Sequence, residues 1–278
     1  MQGLNVFIGL AAIPFGALLI WLGRIRLTKI KRGKLRKQPI PTHLPNILGR
    51  NVGIYAQLPD DLKRDLHGHI NVFLAEKDFI GCDGLEVSEE MRVTVACLAC
   101  ILLLNRQATY FPGFSSILIY PDAYTVTEVS YDGQLEVRRE STRAGESWHR
   151  GPVVLSWKDV LRGAANVGDG YNVVLHEFAH KLDEENGGTN GLPVLQEPEQ
   201  YRGWAKVLGK EYESLEDRVA RGKNRVLHAY GLTSPPEFFA VATESFFEKP
   251  TMMRDRLPDL YEQLRIFYCL DPAAWTSA

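Results

Sequence analysis

Two histidines four positions apart, His176 and His180, constrain the folding of this 278-residue chain more than any other feature. Residues four apart in an α-helix lie on one face, about 6 Å apart along the axis. Their imidazoles can then converge on one metal ion at zinc–nitrogen distances of about 2.0–2.1 Å. Glu177 lies beside the first histidine and can act on a water held by that metal without being a ligand itself. The pattern predicts a zinc-binding helix that carries its own general base.

The residues around this motif predict that the helix is partly buried. Apolar residues at 173–175 lead into it, and Phe178 and Leu182 continue one apolar side. Gly187 and Gly188 are typical of residues that end a helix. A surface helix that carries two histidines by chance is the alternative interpretation.

A catalytic zinc keeps three protein ligands, so a third group must join the helix. The longer motif with a third histidine is absent, since Asp183 and Asn186 occupy its glycine and histidine positions. Residues 234–248 predict another helix, which starts with a capping serine and a proline. Its Glu237 and Glu244 share one face of an otherwise apolar segment, where carboxylates need partners. We predict Glu237 as a ligand and Glu244 as the acceptor that orients a histidine; an exposed acidic stripe is the alternative.

Several other segments, in a fixed order along the chain, carry a family resemblance. They are Leu118–Pro121, Gly145–Trp148, Gly151–Trp157, His176–Asp183 with Asn186 and Gly187, Ala229–Tyr230 and Pro236–Val241. Together they span roughly residues 55–272 and resemble the Mlc titration factor A family of zinc-dependent peptidases. The catalytic core of that family is similar to lethal-factor-type zinc proteases, so the resemblance implies a zincin-like fold.

The resemblance also implies roles for individual residues. The two motif histidines and Glu237 would bind one zinc ion per chain, and Glu177 would be the general base. Tyr230 lies seven residues before Glu237, where the related proteases have a tyrosine that stabilises the oxyanion; a packed aromatic residue is the alternative. The family name refers to capture of a transcriptional regulator. A regulatory protein that binds such a partner, with a weak or vestigial zinc site, is therefore the second hypothesis.

The predicted reaction is hydrolysis of a peptide or protein substrate. Zinc would polarise the scissile carbonyl and lower the pKa of a bound water, and Glu177 would transfer a proton to the leaving amine. Residues 151–157 predict a short strand whose leading Pro152 suits a sheet edge, where an extended substrate can pair. An ordinary strand is equally compatible with this segment. His228 either borders the active site or packs nearby, and the sequence assigns no role to Asp183.

The beginning of the chain has a different physical character. Residues 4–23 contain no charge and are long enough to span about 30 Å of hydrocarbon as a helix. Residues 24–37 follow with eight basic side chains and no acidic one, which predicts that this side faces the cytoplasm. We therefore expect a single-pass protein of the inner membrane with its catalytic domain in the cytoplasm and its basic segment on acidic lipid headgroups. A helix lying on the membrane surface is the alternative.

Composition divides the chain into three predicted parts: a transmembrane anchor (1–23), a basic juxtamembrane segment and linker (24–58) and a metallopeptidase domain (59–278). This last part carries 23 basic against 34 acidic residues, which argues against nucleic-acid binding. Cys97 and Cys100 lie in an apolar stretch and are predicted to be buried small side chains rather than a metal site.

The secondary-structure pattern predicts an α+β fold that is mainly helical with a small sheet. Helices are expected near residues 59–80, 88–105, 158–162, 170–184, 198–221, 235–248 and 257–269, and strands near 116–120, 125–130, 134–139 and 152–156. The turn Tyr131-Asp132-Gly133 predicts a hairpin between the second and third of these strands.

Overall fold

The computed structural model describes residues 20–107, 109–132, 135–143, 145–147 and 151–277. Helix α1 covers residues 20–36 of this part. The further helices are α2 (Leu44–Asn51), α3 (Gly53–Gln57), α4 (Asp60–Glu76), α5 (Glu89–Ile101), α6 (Trp157–Ala165), α7 (Val173–Asp183), α8 (Gln200–Ala220), α9 (Pro235–Glu248), α10 (Pro250–Arg256) and α11 (Pro258–Tyr268). The strands are β1 (Asp78–Gly81), β2 (Ser116–Tyr120), β3 (Tyr124–Asp132), β4 (Leu135–Arg143), β5 (Gly145–Ser147) and β6 (Val153–Ser156). Short 3-10 turns cover Glu184–Asn186, Ala229–Leu232 and Pro272–Ser277.

The predicted mixture of many helices and a small sheet is confirmed. Four strands form one sheet in the order β1-β2-β6-β5, in which β1, β2 and β6 are parallel and β5 is antiparallel. Strands β3 and β4 form the predicted hairpin, with Asp132 opposite Leu135. Strand β1 was not predicted from the sequence, because the helical pattern of residues 59–80 was extended through it.

The prediction that residues 151–157 form an edge strand is wrong. Strand β6 pairs with β2 on one side, where Ile117 faces Val153, and with β5 on the other, where Gly145 faces Leu155. Pro152 precedes the first residue of the strand, so it removes no hydrogen bond from either ladder. The edge of the sheet next to β6 is instead the three-residue strand β5.

Side-chain caps explain why several helices begin where they do. Ser88, Ser156, Asn172 and Ser234 each accept a hydrogen bond from a backbone N–H three residues later. Such a bond satisfies one of the amides that a helix start leaves unpaired. The predicted helix at 257–269 is confirmed as α11, which begins at Pro258. Pro250 begins the separate short helix α10, which was not predicted from the sequence.

The helices pack around a continuous core in which α5 is almost completely enclosed. Cys97 and Cys100 have no exposed surface, as their apolar surroundings predicted. Phe178 of α7 packs edge-on against Phe111 at a ring-centroid distance of 4.9 Å. One side of α7 therefore packs in the core, and its histidine-bearing side faces α9.

The segment before residue 59 is only partly the linker that composition suggested. Leu44, Leu48 and Ile54 of α2 and α3 are buried at 0–3 % exposure, so these helices belong to the folded domain. Their burial depends on contact with α5 and α6, which composition does not reveal.

Helix α1 is tied to the domain by charged side chains. Arg32 donates two hydrogen bonds of 2.9 and 2.8 Å to the Glu76 carboxylate, and Arg36 forms an ion pair with Asp65. Two of the basic residues predicted to face lipid headgroups therefore contact α4 instead. Among the described residues, no helix has the length and apolar character needed to cross a membrane. Of the predicted span at 4–23, residues 4–19 lie outside the described residues.

Candidate metal centre

Helix α7 presents both motif histidines from one side because its opposite side is anchored in the core. Asn172 begins the helix by accepting a hydrogen bond from the Leu175 amide at 3.1 Å. Phe178, with no exposed surface, fixes the rotation of the helix about its axis. The rings of His176 and His180 then lie 4.9 Å apart at an angle of 81°.

Helix α9 packs against α7 and supplies the third side chain. The Nε2 atoms of His176 and His180 are 3.3 Å apart, and Glu237 Oε2 lies 2.9 Å from the first and 3.4 Å from the second. Among the described residues, His176, His180 and Glu237 are the histidine, cysteine or carboxylate side chains that lie close enough together to hold a metal ion. The structure thus brings together the three residues predicted as ligands, although they are up to 61 positions apart.

The geometry of these atoms fits a tetrahedral zinc ion. Bonds of about 2.0–2.1 Å at tetrahedral angles place neighbouring ligand atoms about 3.3–3.4 Å apart, and two of the three separations agree with that spacing. Two imidazoles and one carboxylate also form a donor set typical of catalytic zinc, which leaves a fourth position for water. The side chains of His176, His180 and Glu237 remain 14 %, 11 % and 20 % exposed, so solvent can reach these ligand atoms.

The charges of these groups are strongly coupled. Burial acts to raise the pKa of Glu237, but the hydrogen bonds and charges of His176 and His180 outweigh it and lower the pKa to about 2. Burial acts to lower the pKa of His176, but Glu244 and Glu237 outweigh it and raise that pKa well above its usual value. A carboxylate that stays ionised among imidazoles is suited to cation binding.

Glu177 lies beside the ligands without joining them. It is 5 % exposed, and burial raises its pKa against the opposing charges of the two histidines. Strand β5 passes directly over it, since a Cβ atom on Gly145 would lie 2.7 Å from Glu177 Oε1. The same Cβ would lie 2.5 Å from Val173 Cγ2, so a larger residue at position 145 would displace the strand or these two side chains. Sequence reasoning did not find this contact.

Glu244 occupies the position predicted for an orienting acceptor. Its Oε1 atom accepts a hydrogen bond from His176 Nδ1 at 2.6 Å, and Oε2 accepts one from the Asn172 amide at 2.6 Å. Because this bond holds the Nδ1 proton, loss of the other ring proton on metal binding would leave the lone pair of His176 Nε2 directed at the candidate centre. Glu244 is 2 % exposed, so the alternative of an exposed acidic stripe is wrong for this residue.

Tyr230 lies at the rim of the centre on the 3-10 turn Ala229–Leu232. Its ring centroid is 5.9 Å from that of His176, and the side chain is 50 % exposed, unlike a packed core aromatic. His228 begins this turn, and its Nδ1 atom accepts a hydrogen bond from the Tyr230 amide at 3.2 Å. His228 therefore lies next to the site, where it fixes the backbone of Tyr230.

A helix-borne His-Glu-x-x-His sequence, completed by a glutamate from a neighbouring helix, places the chain among proteins with a candidate metal-hydrolase centre. The chain belongs to the family of glucose-regulated metallo-peptidases M90, whose family model matches residues 26–269.

Relatives from several bacteria agree with this assignment. An uncharacterized protein of Synechocystis sp. is 39 % identical over 241 residues, which cover 86 % of this chain and 88 % of the relative. Proteins named Mlc titration factor A from Yersinia pestis and Yersinia pseudotuberculosis are each 32 % identical over 228 residues, covering 81 % of this chain and 83 % of theirs. The family predicted from the sequence is thereby confirmed.

Proposed function

We propose that this protein is a zinc-dependent peptidase in which Glu177 is the general base. The observation that supports it best is the approach of His176, His180 and Glu237 to within 2.9–3.4 Å at their ligand atoms, with the Glu177 carboxylate beside them. Membership of a metallo-peptidase family supports the reaction class. The three ligand residues would hold the zinc ion.

Each remaining side chain of the site then has a defined task. Zinc, when bound, would act as a Lewis acid on the scissile carbonyl and lower the pKa of the attacking water. Glu177 removes a proton from that water and passes it to the nitrogen of the leaving amine. Glu244 keeps the proton of His176 on Nδ1, so that Nε2 stays free to bind. Tyr230 donates its phenol hydrogen to the oxygen of the substrate carbonyl as negative charge develops there.

The edge strand β5 is the proposed binding position for the substrate backbone. Its outer side pairs with no strand of the described sheet, and Gly145 lies against Glu177. An extended peptide that pairs with β5 would run past the general base, because backbone hydrogen bonds hold an added strand along a sheet edge.

The central test is the Glu177→Gln variant of the full-length chain. Gln retains the size of the side chain but cannot accept the proton, so zinc content should stay at one ion per chain while peptide cleavage is lost. Exposed Glu216 offers a matched control, since Glu216→Gln makes the same chemical change at a solvent-facing position of α8. Metal analysis and digestion of a peptide library are the measurements. Cleavage that persists in Glu177→Gln would refute the assigned base, and wild-type protein without zinc would refute the metal centre.

The role of Tyr230 is tested separately, through both its hydroxyl and its backbone. Tyr230→Phe should lower kcat about 100-fold or more, as loss of an oxyanion donor does elsewhere. His228→Ala should also lower kcat, because it removes the hydrogen bond that fixes the Tyr230 backbone. His228→Asn should keep kcat near the wild-type value, because an asparagine side chain can accept the same bond at a helix start. Unchanged kcat in both Tyr230→Phe and His228→Ala would mean that Tyr230 has no part in the reaction.

A regulatory binding function is the second candidate, favoured by the name of the Yersinia relatives, which describes titration of Mlc. This function would require a surface for a transcriptional regulator and no hydrolysis. Binding of purified Yersinia Mlc to wild type and to Glu177→Gln distinguishes the two hypotheses. Equal binding by both proteins, with no peptide cut by either, would favour the regulatory function.

We also propose that residues 4–23 anchor the protein in the inner membrane with the catalytic domain in the cytoplasm. Support comes from the described end of this region, where α1 exposes Ile20 and Trp21 at 67 % and 57 % beside the basic residues Arg24 and Arg26. An alkaline carbonate wash of isolated membranes should leave the protein in the pellet, whereas a surface-lying helix would be released. A carboxy-terminal alkaline phosphatase fusion should be inactive if that end is cytoplasmic.

A further inference from the structure

Asp183, at the end of α7, makes a contact that the proposed reaction does not explain. The side chain has no exposed surface, although an ionisable group is costly to bury without partners. Its Oδ2 atom accepts a hydrogen bond from the Gly191 amide at 2.7 Å. Asp183 thus fixes the loop that leaves the metal-binding helix.

Gly191 lies between this carboxylate and the start of α9. Its φ angle is +76°, and a Cβ atom there would lie 2.6 Å from the carbonyl oxygen of Pro235. Trp204 Nε1 donates to the Gly191 carbonyl at 3.2 Å and holds the same peptide from a third direction. Because Pro235 lies two residues before Glu237, Gly191 packs against the helix turn that carries this residue.

One oxygen of Asp183 and one ring nitrogen of His180 remain without a hydrogen-bond partner among the described residues. Asp183 Oδ1 and His180 Nδ1 are both buried and, within the described residues, neither has a hydrogen-bond partner. The two residues are three apart on one helix, where side chains are neighbours, and the charge of His180 acts on the Asp183 carboxyl. His176 has Glu244 to hold its Nδ1 proton, whereas the described part of the chain offers His180 no such acceptor within hydrogen-bond distance.

We propose that Asp183 is a positioning residue of the metal centre, which fixes Glu237 through Gly191 and Pro235 and accepts, through one bridging water, the hydrogen bond that His180 Nδ1 donates. Buried polar atoms that no protein group satisfies commonly bind an ordered water. The proposal rests on the proposed function, since it assumes that His180 Nε2 binds zinc. It adds a second carboxylate, beside Glu244, that holds a ligand histidine in its binding form.

The Asp183→Asn variant tests this role in the full-length chain. Asparagine keeps an oxygen for the Gly191 amide but is neutral and a weaker acceptor for the His180 proton. Loss of such an outer partner typically weakens metal binding 10- to 100-fold, and we expect a rise of about that size in the zinc Kd from competition with a chelator. The visible spectrum of the Co²⁺-substituted protein should shift as well. Asp217→Asn is the matched control, because that side chain is 76 % exposed on α8, and it should change neither measurement.

The Gly191→Ala variant tests the path to Glu237 while leaving Asp183 intact. The added methyl must displace Pro235, so the zinc Kd should rise and the Co²⁺ spectrum should shift. If wild type binds zinc and both Asp183→Asn and Gly191→Ala bind it equally well with an unchanged spectrum, the inference is overturned. If wild type binds no zinc, the proposed function fails first.

A measurement on wild type keeps the inference testable even if the variants do not fold. In zinc-loaded protein with ¹⁵N-labelled histidine, the Nδ1 proton of His180 should give a signal that exchanges slowly with solvent. A rapidly exchanging proton would show that no buried acceptor holds it, and the role assigned to Asp183 towards His180 would be wrong.

Discussion

Replacement of Glu248 by glutamine should change how the stability of this protein depends on pH. Glu248 ends α9 one turn after Glu244 and is 5 % exposed. Its Oε1 atom accepts a hydrogen bond from Asn172 Nδ2 at 3.1 Å, while Oε2 has no partner among the described residues. Burial raises its pKa from 4.5 to about 8, and the charge of Glu244 adds to the effect, whereas the bond from Asn172 opposes it.

The sign of the pH dependence follows from proton binding. Between pH 4.5 and 8 the folded protein retains a proton on Glu248 that the unfolded chain releases, so the free energy of unfolding falls as the pH rises. One pKa unit corresponds to about 1.4 kcal/mol, and from pH 5 to pH 8 the loss amounts to about 3 kcal/mol. Glutamine does not titrate. The stability of Glu248→Gln relative to wild type should therefore increase by about 3 kcal/mol over this range.

Urea unfolding at pH 5, 6.5 and 8 measures this difference directly. A chelator should be present throughout, so that metal binding does not add to stability. Glu216→Gln, an exposed substitution of the same kind, should keep a constant difference from wild type. An equal stability difference between Glu248→Gln and wild type at pH 5 and pH 8 would refute the reasoning, because it would mean that Glu248 ionises normally in the folded protein.

Three other outcomes are expected. Glu244→Gln, which weakens the hydrogen bond to His176 Nδ1, should raise the zinc Kd about 10- to 100-fold in chelator competition; an unchanged Kd would exclude the orienting role. Gly145→Ala should push the Glu177 carboxylate away and lower kcat about 10- to 100-fold with zinc content unchanged, and full activity would contradict the close contact. Removal of zinc by chelation should lower the melting temperature by several degrees, because a bound ion stabilises the folded state; identical melting curves would argue against the site.

Elements with strong local signals were predicted well from the sequence. Strand Ser116–Tyr120 was predicted at its observed ends, since its apolar residues are bounded by turn residues. Helix Pro235–Glu248 was predicted with its capping serine, because a cap and a proline at the first position identify a helix start without tertiary contacts.

Elements whose role depends on distant contacts were predicted poorly. Residues 44–58 were taken as part of a linker, yet Leu44 and Leu48 are buried against helices that come later in the chain. Strand β6 was predicted at an edge from its leading Pro152. The strand that covers it, Gly145–Ser147, was missed because it is only three residues long and has no recognisable pattern.

The sequence by itself determined the chemistry available to this protein: two histidines one helical turn apart, a glutamate between them and a second glutamate on another helix. Helix geometry makes the spacing of His176 and His180 meaningful without any other information. Only the tertiary structure decided that Glu237 reaches both rings, that Glu244 accepts a hydrogen bond from His176 and that Asp183 accepts one from Gly191, close to Pro235. These contacts join residues far apart in the chain, and the packing of α7 against α9, which no local pattern encodes, determines which of them form.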